Sequence, residues 1–476
     1  MEHGDKAYKY FCELCKIPHG SGNEKAISDY MVAFAKEKGL DAVQDKWLNV
    51  LIRKPGSKGR ENDPAVILQA HMDMVCEKNE DVKHDFLKDP IVPVIDGDWV
   101  KTRGTTLGAD NGSGVSLIMM ALTAENISHP PLEAILTTEE ETGCTGAAMF
   151  DTSLLKGKRL INLDGAGEDT LIAGCAGGIF IELEVPVERE TVPAGFVFYR
   201  LMVKGLAGGH SAGDIDKGRG NANVLAAGLL DKLFKEEVRL VDINGGAKMN
   251  AIPRECSAVI SFAEGKLEKI KSLVAQTETE YKAEYQCEKG LAVTLGKTGA
   301  SGSVMSNSSQ REAIDTILRM PCGVQSMSPD AKGLVQTSNN PGVITGAEDA
   351  VTIKNFLRSS SKAEMENVAG KIKTAAESCA AKINILGKFP IWEYNPKSPL
   401  RDTLISVHKD LYGKTPEVTA THGGLECANF AQKMPDCDCT VLDGPNITGL
   451  HSPDERMSLS SLNRTADFLV KVLERL

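Results

Sequence analysis

AVILQAHMD, residues 65–73, is an almost continuous apolar run that stops at His71, Met72 and Asp73. A short run of this kind with no polar face reads as a strand buried on both sides, the usual state of strands in a helix-covered parallel sheet. Upstream, residues 23–38 (NEKAISDYMVAFAKEK) carry apolar side chains at helical spacing and stop at Gly39. Downstream the alternation recurs. Residues 114–123 read as helix after a glycine-rich turn, 133–138 (EAILTT) as strand and 159–163 (RLINL) as another short strand. The order predicts an α/β domain on a mostly parallel sheet.

After about Pro186 the texture changes. Alternating strands such as 196–203 (FVFYRLMV) and 256–262 (CSAVISF) mix with amphipathic helices at 223–235 and 266–285, which predicts an α+β insertion. From about Ser398 helix and strand alternate again, with helices expected over 402–412 and 460–476. The expected organisation is one domain made of 1–187 and 396–476, interrupted by 188–395. The Gly/Ser-rich stretch 296–309 reads as a surface loop. Gly296-Lys297-Thr298 has the tail of a phosphate loop, but Gly290 precedes it by one residue too many and LAVTL between them reads as strand, so nucleotide binding is rejected.

Composition narrows the function further. The 476 residues carry a net charge of −11, which disfavours a nucleic-acid binder, since that affinity comes from clustered Lys and Arg. The first residues, MEHGDKAYKYFCELC, lack the basic and apolar segments of a secretory signal, and the longest apolar stretches, such as 115–122, are far below the roughly 20 residues that span a bilayer. A cytoplasmic protein without membrane or nucleic-acid partners is expected. Its twelve cysteines are irregularly spaced and read as buried thiols; Cys12-x-x-Cys15 has no second pair at zinc-finger spacing.

The chemistry concentrates at strand ends. In an extended segment residues i and i+2 share a face, so Asp73 can hold one ring nitrogen of His71 and present the other to a metal; alone, the pair reads first as a hydrogen-bonded surface motif, and its neighbours change that. Residues 107–114 (LGADNGSG) place Asp110 among glycines before a helix, where it either meets a cation or caps the helix with Asn111. Thr138-Glu139-Glu140-Glu141-Thr142-Gly143 stacks three carboxylates whose repulsion a cation or proton relieves, although a solvated acidic loop has the same composition. Asp164 follows the strand RLINL, and His451 in Gly449-Leu450-His451-Ser452-Pro453 adds a distant imidazole. Two imidazoles with three carboxylates and no cysteine make a mixed N/O set suited to a catalytic two-zinc site.

At these residues the chain resembles the co-catalytic zinc peptidase family of carnosinases, aminoacylases and dipeptidases. The likeness spans nearly the whole chain and is carried by HMDMVCEKN (71–79), WVKTRGTTLGADNG (99–112), TTEEETG (137–143), GCAGG (174–178), GGHSAG (208–213), NAIPRE (250–255) and GLHSPDE (449–455). The resemblance implies two Zn2+ per chain, with Mn2+ or Co2+ as substitutes. Asp110 would bridge them, His71 and Asp164 would complete one site, and Glu141 and His451 the other. Asp73 would orient His71 and Glu140 would be the general base, a register anchored on Thr142-Gly143 that makes Glu139 the spare. It further implies a zinc-peptidase catalytic domain interrupted by an α+β lid, in which His210 and Asn250 would polarise the scissile carbonyl and Arg358 would grip the substrate carboxylate. Bland readings stay open for two of these: His210 as a turn histidine in a glycine-rich hairpin and Arg358 as a surface charge. The implied activity is hydrolysis of dipeptides with a free amino terminus, of the Xaa-His type or of broad specificity, with a homodimer allowed. The rivals are an N-acyl amino-acid deacylase on the same scaffold and a zinc-binding relative without turnover.

Overall fold

The computed structural model describes residues 3–300, 302–329, 331, 333–442 and 444–476. The chain divides into two compact units, one of residues 1–175, 394–420 and 425–476, the other of 176–393 and 421–424. The first boundary therefore falls earlier than 187, because Gly177–Pro186 is a strand of the second unit's sheet, paired with Ala350–Ser359 on one side and Lys382–Phe389 on the other. The short return of 421–424 to the second unit carries no mark in hydrophobic period.

The first unit is built on an eight-stranded sheet. The fully buried strand Val66–His71 lies at its centre, parallel to Leu132–Thr137 on one side and to Arg159–Asn162 on the other, and Asp438–Leu442 extends the parallel set. Antiparallel strands flank this parallel centre at both ends: Val50–Lys54 and Asp41–Gln44 on one side, Thr170–Cys175 on the other. Helix Ala109–Leu122 is buried almost throughout, which its run of Val, Leu, Ile, Met and Ala requires. Helices His3–Leu14 and Leu459–Arg475 bury only one face each, through Ala7, Phe11 and Leu14 and through Leu462, Leu469 and Leu473. Parallel register aligns the carboxyl ends of the central strands: His71 sits beside Thr137 and Gln69 beside Asn162. Residues following those ends are consequently delivered to one edge of the sheet, the usual location of ligands in such folds.

The second unit holds a nine-stranded antiparallel sheet that includes Phe196–Lys204, Cys256–Ala263, Val335–Gly346 and Ala350–Ser359. Its core includes Leu201, Leu229, Ile260, Phe262 and Ile353. Residues 296–309 are not one open loop. The strand Ala292–Lys297 runs into the segment, Val304–Met305 pairs with Arg189–Glu190, and helix Asn307–Arg319 begins there with Ser306 accepting from the backbone N–H of Ser309. Serines that looked like loop composition are a helix cap. Among the described residues no helix is long and apolar enough to cross a membrane, and no cysteine is in a disulfide.

Candidate metal centre

Five side chains from five separate stretches, His71, Asp110, Glu141, Asp164 and His451, meet at the end of the central strands. His71, the last residue of its strand, directs Nε2 to Asp110 Oδ1 at 3.2 Å and to Asp164 Oδ1 at 3.5 Å. His451 directs Nε2 to the other oxygen of Asp110, Oδ2, at 3.2 Å, and lies 3.1 Å from Glu141 Oε1. The Asp110 carboxylate thus stands between two imidazoles, each with a second carboxylate at its side. His71, Asp110 and Glu141 each offer a ligand atom within 4.8 Å of the others.

Each member has a local reason for its place. Asp110 sits in an irregular first turn of its helix, with φ −88 and ψ 107, and the 110–111 peptide is cis. The glycine that follows at 114 is obligatory, since a Cβ there would lie 2.4 Å from the carbonyl oxygen of Leu163. His71 Nδ1 is 3.0 Å from the backbone oxygen of Asp73 and 3.4 Å from its Oδ1. The Asp73 carboxylate also accepts from Ser21 Oγ and from the backbone N–H groups of Glu140 and Glu141, so it ties the histidine strand to the acidic turn. Two further carboxylates escape sequence reasoning. Glu455, four residues after His451, accepts the backbone N–H groups of Leu107, Gly108, Ala109 and Asp110. Glu426 is wholly buried and accepts from Gln69 Nε2 and Thr137 Oγ1. A short-range motif gives no warning of either, because their partners are remote in sequence.

The electrostatics of the cluster are those of a cation site. Among the described residues no Lys or Arg pairs with Asp73, Asp110, Asp164, Glu140 or Glu141; only the two imidazoles do. Burial opposes ionisation of Asp110, yet hydrogen bonds from His451 and His71 hold its carboxyl below the ordinary range. Burial and the nearby Asp110 charge push Asp164 up to about 6. Burial, reinforced by Asp164, Glu426 and Glu141, raises Glu140 well above a normal glutamate. The hydrogen bonds to Asp110 and Glu141 lift His451 to about 10, and His71 is raised by Asp164, Asp110 and Asp73 against the pull of burial. Protons concentrated this way mark where divalent cations fit, since ligating imidazoles are neutral and carboxylates ionised. The mixed N/O donor set without thiolate suits Zn2+ and its borderline substitutes.

The family follows from the whole chain as well as from the site. Residues 67–475 match the family described as Peptidase family M20/M25/M40. The chain belongs to that family. This M20 peptidase is 41% identical over 468 residues to the cytosol non-specific dipeptidase of Escherichia coli (strain K12), covering 98% of this chain and 96% of the relative. Among solved structures it is similar to the aminoacylhistidine dipeptidase of Vibrio alginolyticus, with a TM-score of 0.89 and 37% identity over 98% of this chain and 96% of that one. A M20 family metallo-carboxypeptidase from Sulfolobus solfataricus shares the fold, with a TM-score of 0.54, 16% identity and 99% coverage of both chains.

The remaining three expected site residues cluster in the second unit of this M20 peptidase. The short strands Gly209–His210 and Ala251–Ile252 pair, which sets exposed His210 beside Ala251 and next to Asn250, whose carbonyl accepts from Ser211 N. His210 Nδ1 accepts from the N–H of Ala212. Arg358 is only 6% exposed, donates from Nε to Ser211 Oγ and stacks on Phe356 with its guanidinium carbon 4.0 Å from the ring centre. Burial lowers its pKa to about 10. Gly178, in the GCAGG stretch, leaves the room that Phe356 needs, since a Cβ there would lie 2.3 Å from the ring.

Proposed function

We propose that this M20 peptidase is a metal-dependent dipeptidase, cleaving dipeptides with a free amino terminus, of the Xaa-His type or of broad specificity, with two Zn2+ held by His71, Asp110, Asp164, Glu141 and His451. The observation that carries this reading is the single carboxylate of Asp110 facing two imidazoles with its two oxygens. That is the arrangement a bridging ligand needs. Asp110 would then be shared between the two ions, with His71 and Asp164 completing one position and Glu141 and His451 the other. Mn2+ and Co2+ are chemically acceptable substitutes. The relatives named cytosol non-specific dipeptidase and aminoacylhistidine dipeptidase support a dipeptide as the substrate class. Cysteines outside any disulfide, among the described residues, fit a reducing cytosol.

When bound, the ions supply Lewis acidity and make water a nucleophile near neutral pH. The chain's own groups do the rest. Asp73 fixes His71 through Nδ1, so that Nε2 is the atom presented to the centre. Glu140, a carboxyl whose proton affinity burial raises and which pairs with no Lys or Arg among the described residues, takes the proton of the attacking water and returns it to the leaving amine. Its neighbour Glu141 faces His451 instead. Arg358, a buried guanidinium with no carboxylate ion pair among the described residues, is assigned to the free carboxyl end of the substrate. His210 and Asn250 are assigned to the scissile carbonyl.

A panel of dipeptides with free and acetylated amino termini, assayed before and after chelation, tests the reading. Hydrolysis of the free dipeptides that disappears on chelation and returns with Zn2+ is expected. Turnover confined to acetylated substrates would make the protein a deacylase, and no turnover with metal fully bound would make it a binding relative.

A further inference from the structure

Beneath the metal centre lies a row of buried polar side chains that the reaction does not use. It begins at the backbone N–H of Asp164, which donates to Asn162 Oδ1 at 2.9 Å; Asn162 Nδ2 donates to Gln69 Oε1 at 2.5 Å. Gln69 Nε2 donates to Glu426 Oε2 at 2.5 Å and to Thr137 Oγ1 at 3.1 Å, and Thr137 Oγ1 donates to the same Glu426 oxygen at 2.7 Å. Asn162, Gln69, Thr137 and Glu426 are each 0% exposed. The row crosses three adjacent parallel strands. Gln69 lies two residues before His71 on the same face, Asn162 two before Asp164, and Thr137 directly before the turn that carries Glu140 and Glu141. An amide, a hydroxyl and a second amide in place of Val or Ile at these central-strand positions raise the cost of folding unless every group is paired.

We propose that Glu426 is a positioning residue for the metal centre: as the common acceptor of Gln69 and Thr137 it closes this row and fixes the relative advance of the strand ends that deliver His71, Asp164 and the acidic turn. The inference rests on the two-metal reading. Its physical basis is that the three strand ends are joined by side-chain bonds at the level of the ligands, in addition to the sheet ladder behind them. Without the acceptor, the Thr137 hydroxyl is left with the backbone oxygen of Ala70 at 3.2 Å and the Gln69 amide with Thr137 Oγ1 alone, so the row no longer closes on one shared atom and the orientation of the neighbouring side chains is less tightly set. The other oxygen of Glu426 has no hydrogen-bond partner among the described residues, so its work is done through Oε2. Burial, opposed by His71, raises the carboxyl to about 7, so acceptance through one oxygen does not need a full charge.

Glu426→Leu, Glu426→Gln and Thr137→Val test this, with Zn2+ affinity read by competition with a chromophoric chelator, kcat and KM read on a dipeptide, and folding read by urea unfolding in chelator. Leu removes the acceptor; Zn2+ affinity is expected to fall about 10- to 100-fold, with kcat dropping more than KM rises. Gln keeps an oxygen for both donors and is expected to restore affinity to within about threefold of the parent. Thr137→Val, which deletes one donor and little volume, falls between and guards against a Leu variant that does not fold. The proposal is overturned if Leu and Val variants that fold bind Zn2+ like the parent, or if Gln is as impaired as Leu, which would make charge rather than acceptance the active property. A parent protein that binds no Zn2+ would instead overturn the two-metal reading itself.

Discussion

Glu455→Gln is the most informative single change in the first unit. The side chain is 2% exposed, and its two oxygens accept four consecutive backbone N–H groups, from Leu107 at 2.7 Å, Gly108 at 3.1 Å, Ala109 at 2.8 Å and Asp110 at 3.3 Å. Two of the donors use each oxygen. Glutamine keeps the volume and one acceptor, but its amide nitrogen then confronts the other two N–H groups donor to donor. Each buried N–H left without an acceptor costs about 1–3 kcal/mol, so the substitution is worth about 2–6 kcal/mol, with loop relaxation favouring the lower half. The same loop ends in Asp110, so the damage reaches the carboxylate that faces both imidazoles, and Zn2+ affinity is expected to fall about 10- to 100-fold, as for other groups that orient ligands. Urea unfolding in chelator, with the midpoint shifted at constant slope, isolates the stability effect, and chelator competition gives the affinity. A variant with the parent midpoint and the parent Zn2+ affinity would refute the claim that this carboxylate holds the 107–110 turn in place.

Four other outcomes follow from the site. Glu140→Gln is expected to lower kcat by about 10²–10⁴ while Zn2+ content, measured by atomic absorption, stays at the parent level. His71→Ala is expected to lose metal outright, and normal occupancy in that variant would count against the ligand set. Arg358→Ala is expected to raise KM for dipeptides and to leave a dipeptide amide, which lacks the carboxylate, almost unchanged. The fourth concerns pH. Burial works against the Asp73 anion, but His71, Ser21 and the Glu140 N–H hold its carboxyl below the ordinary value. A depressed folded-state pKa adds stability that is present above the unfolded value of about 3.9 and is lost as pH falls through the lower folded value. Asp73→Asn is accordingly expected to be less stable than the parent at pH 7, with the difference shrinking on acidification below pH 3.9; a difference that grows there would contradict the assignment.

The parts of this molecule legible in sequence are those whose signal is local. The run 65–70 announced a buried strand because nothing polar interrupts it except Gln69, and the strand is buried at every position from Val66 to His71. His71, Asp110, Glu140, Glu141 and Asp164 could be singled out because each follows a strand or opens a helix, and chain direction in a parallel sheet brings such ends to one edge. Gln69 was the visible anomaly in its run, yet its meaning depends on Asn162, Thr137 and Glu426, which no period links to it. Glu455 lies inside a quoted stretch, GLHSPDE, but its four partners are backbone groups some 345 residues away, and a backbone donor leaves no trace in composition. The segment 296–309 misled for a related reason: Ser and Gly report turn propensity and helix caps equally, and only tertiary pairing decides between them.

The two imidazoles that meet at Asp110 are held in opposite ways. The His71 side chain is 1% exposed, terminates a strand paired on both sides, and is fixed at Nδ1 by Asp73. The His451 side chain is 50% exposed and stands on a left-handed backbone with φ 57, where a non-glycine residue is strained. Its ring gains order from Asp110 and Glu141, and its loop is tied back through Glu455 to the very turn that carries Asp110. A ligand on a finished strand end has no further ordering cost when it binds, whereas an exposed loop ligand must lose rotamer and backbone freedom at that moment. The Asp110 carboxylate, facing both rings, therefore joins a pre-formed half to a half whose order depends on contacts made at the centre itself. This is why Glu455 matters beyond its hydrogen bonds: by holding both the His451 loop and the Asp110 turn, it removes part of that ordering cost before any ion arrives.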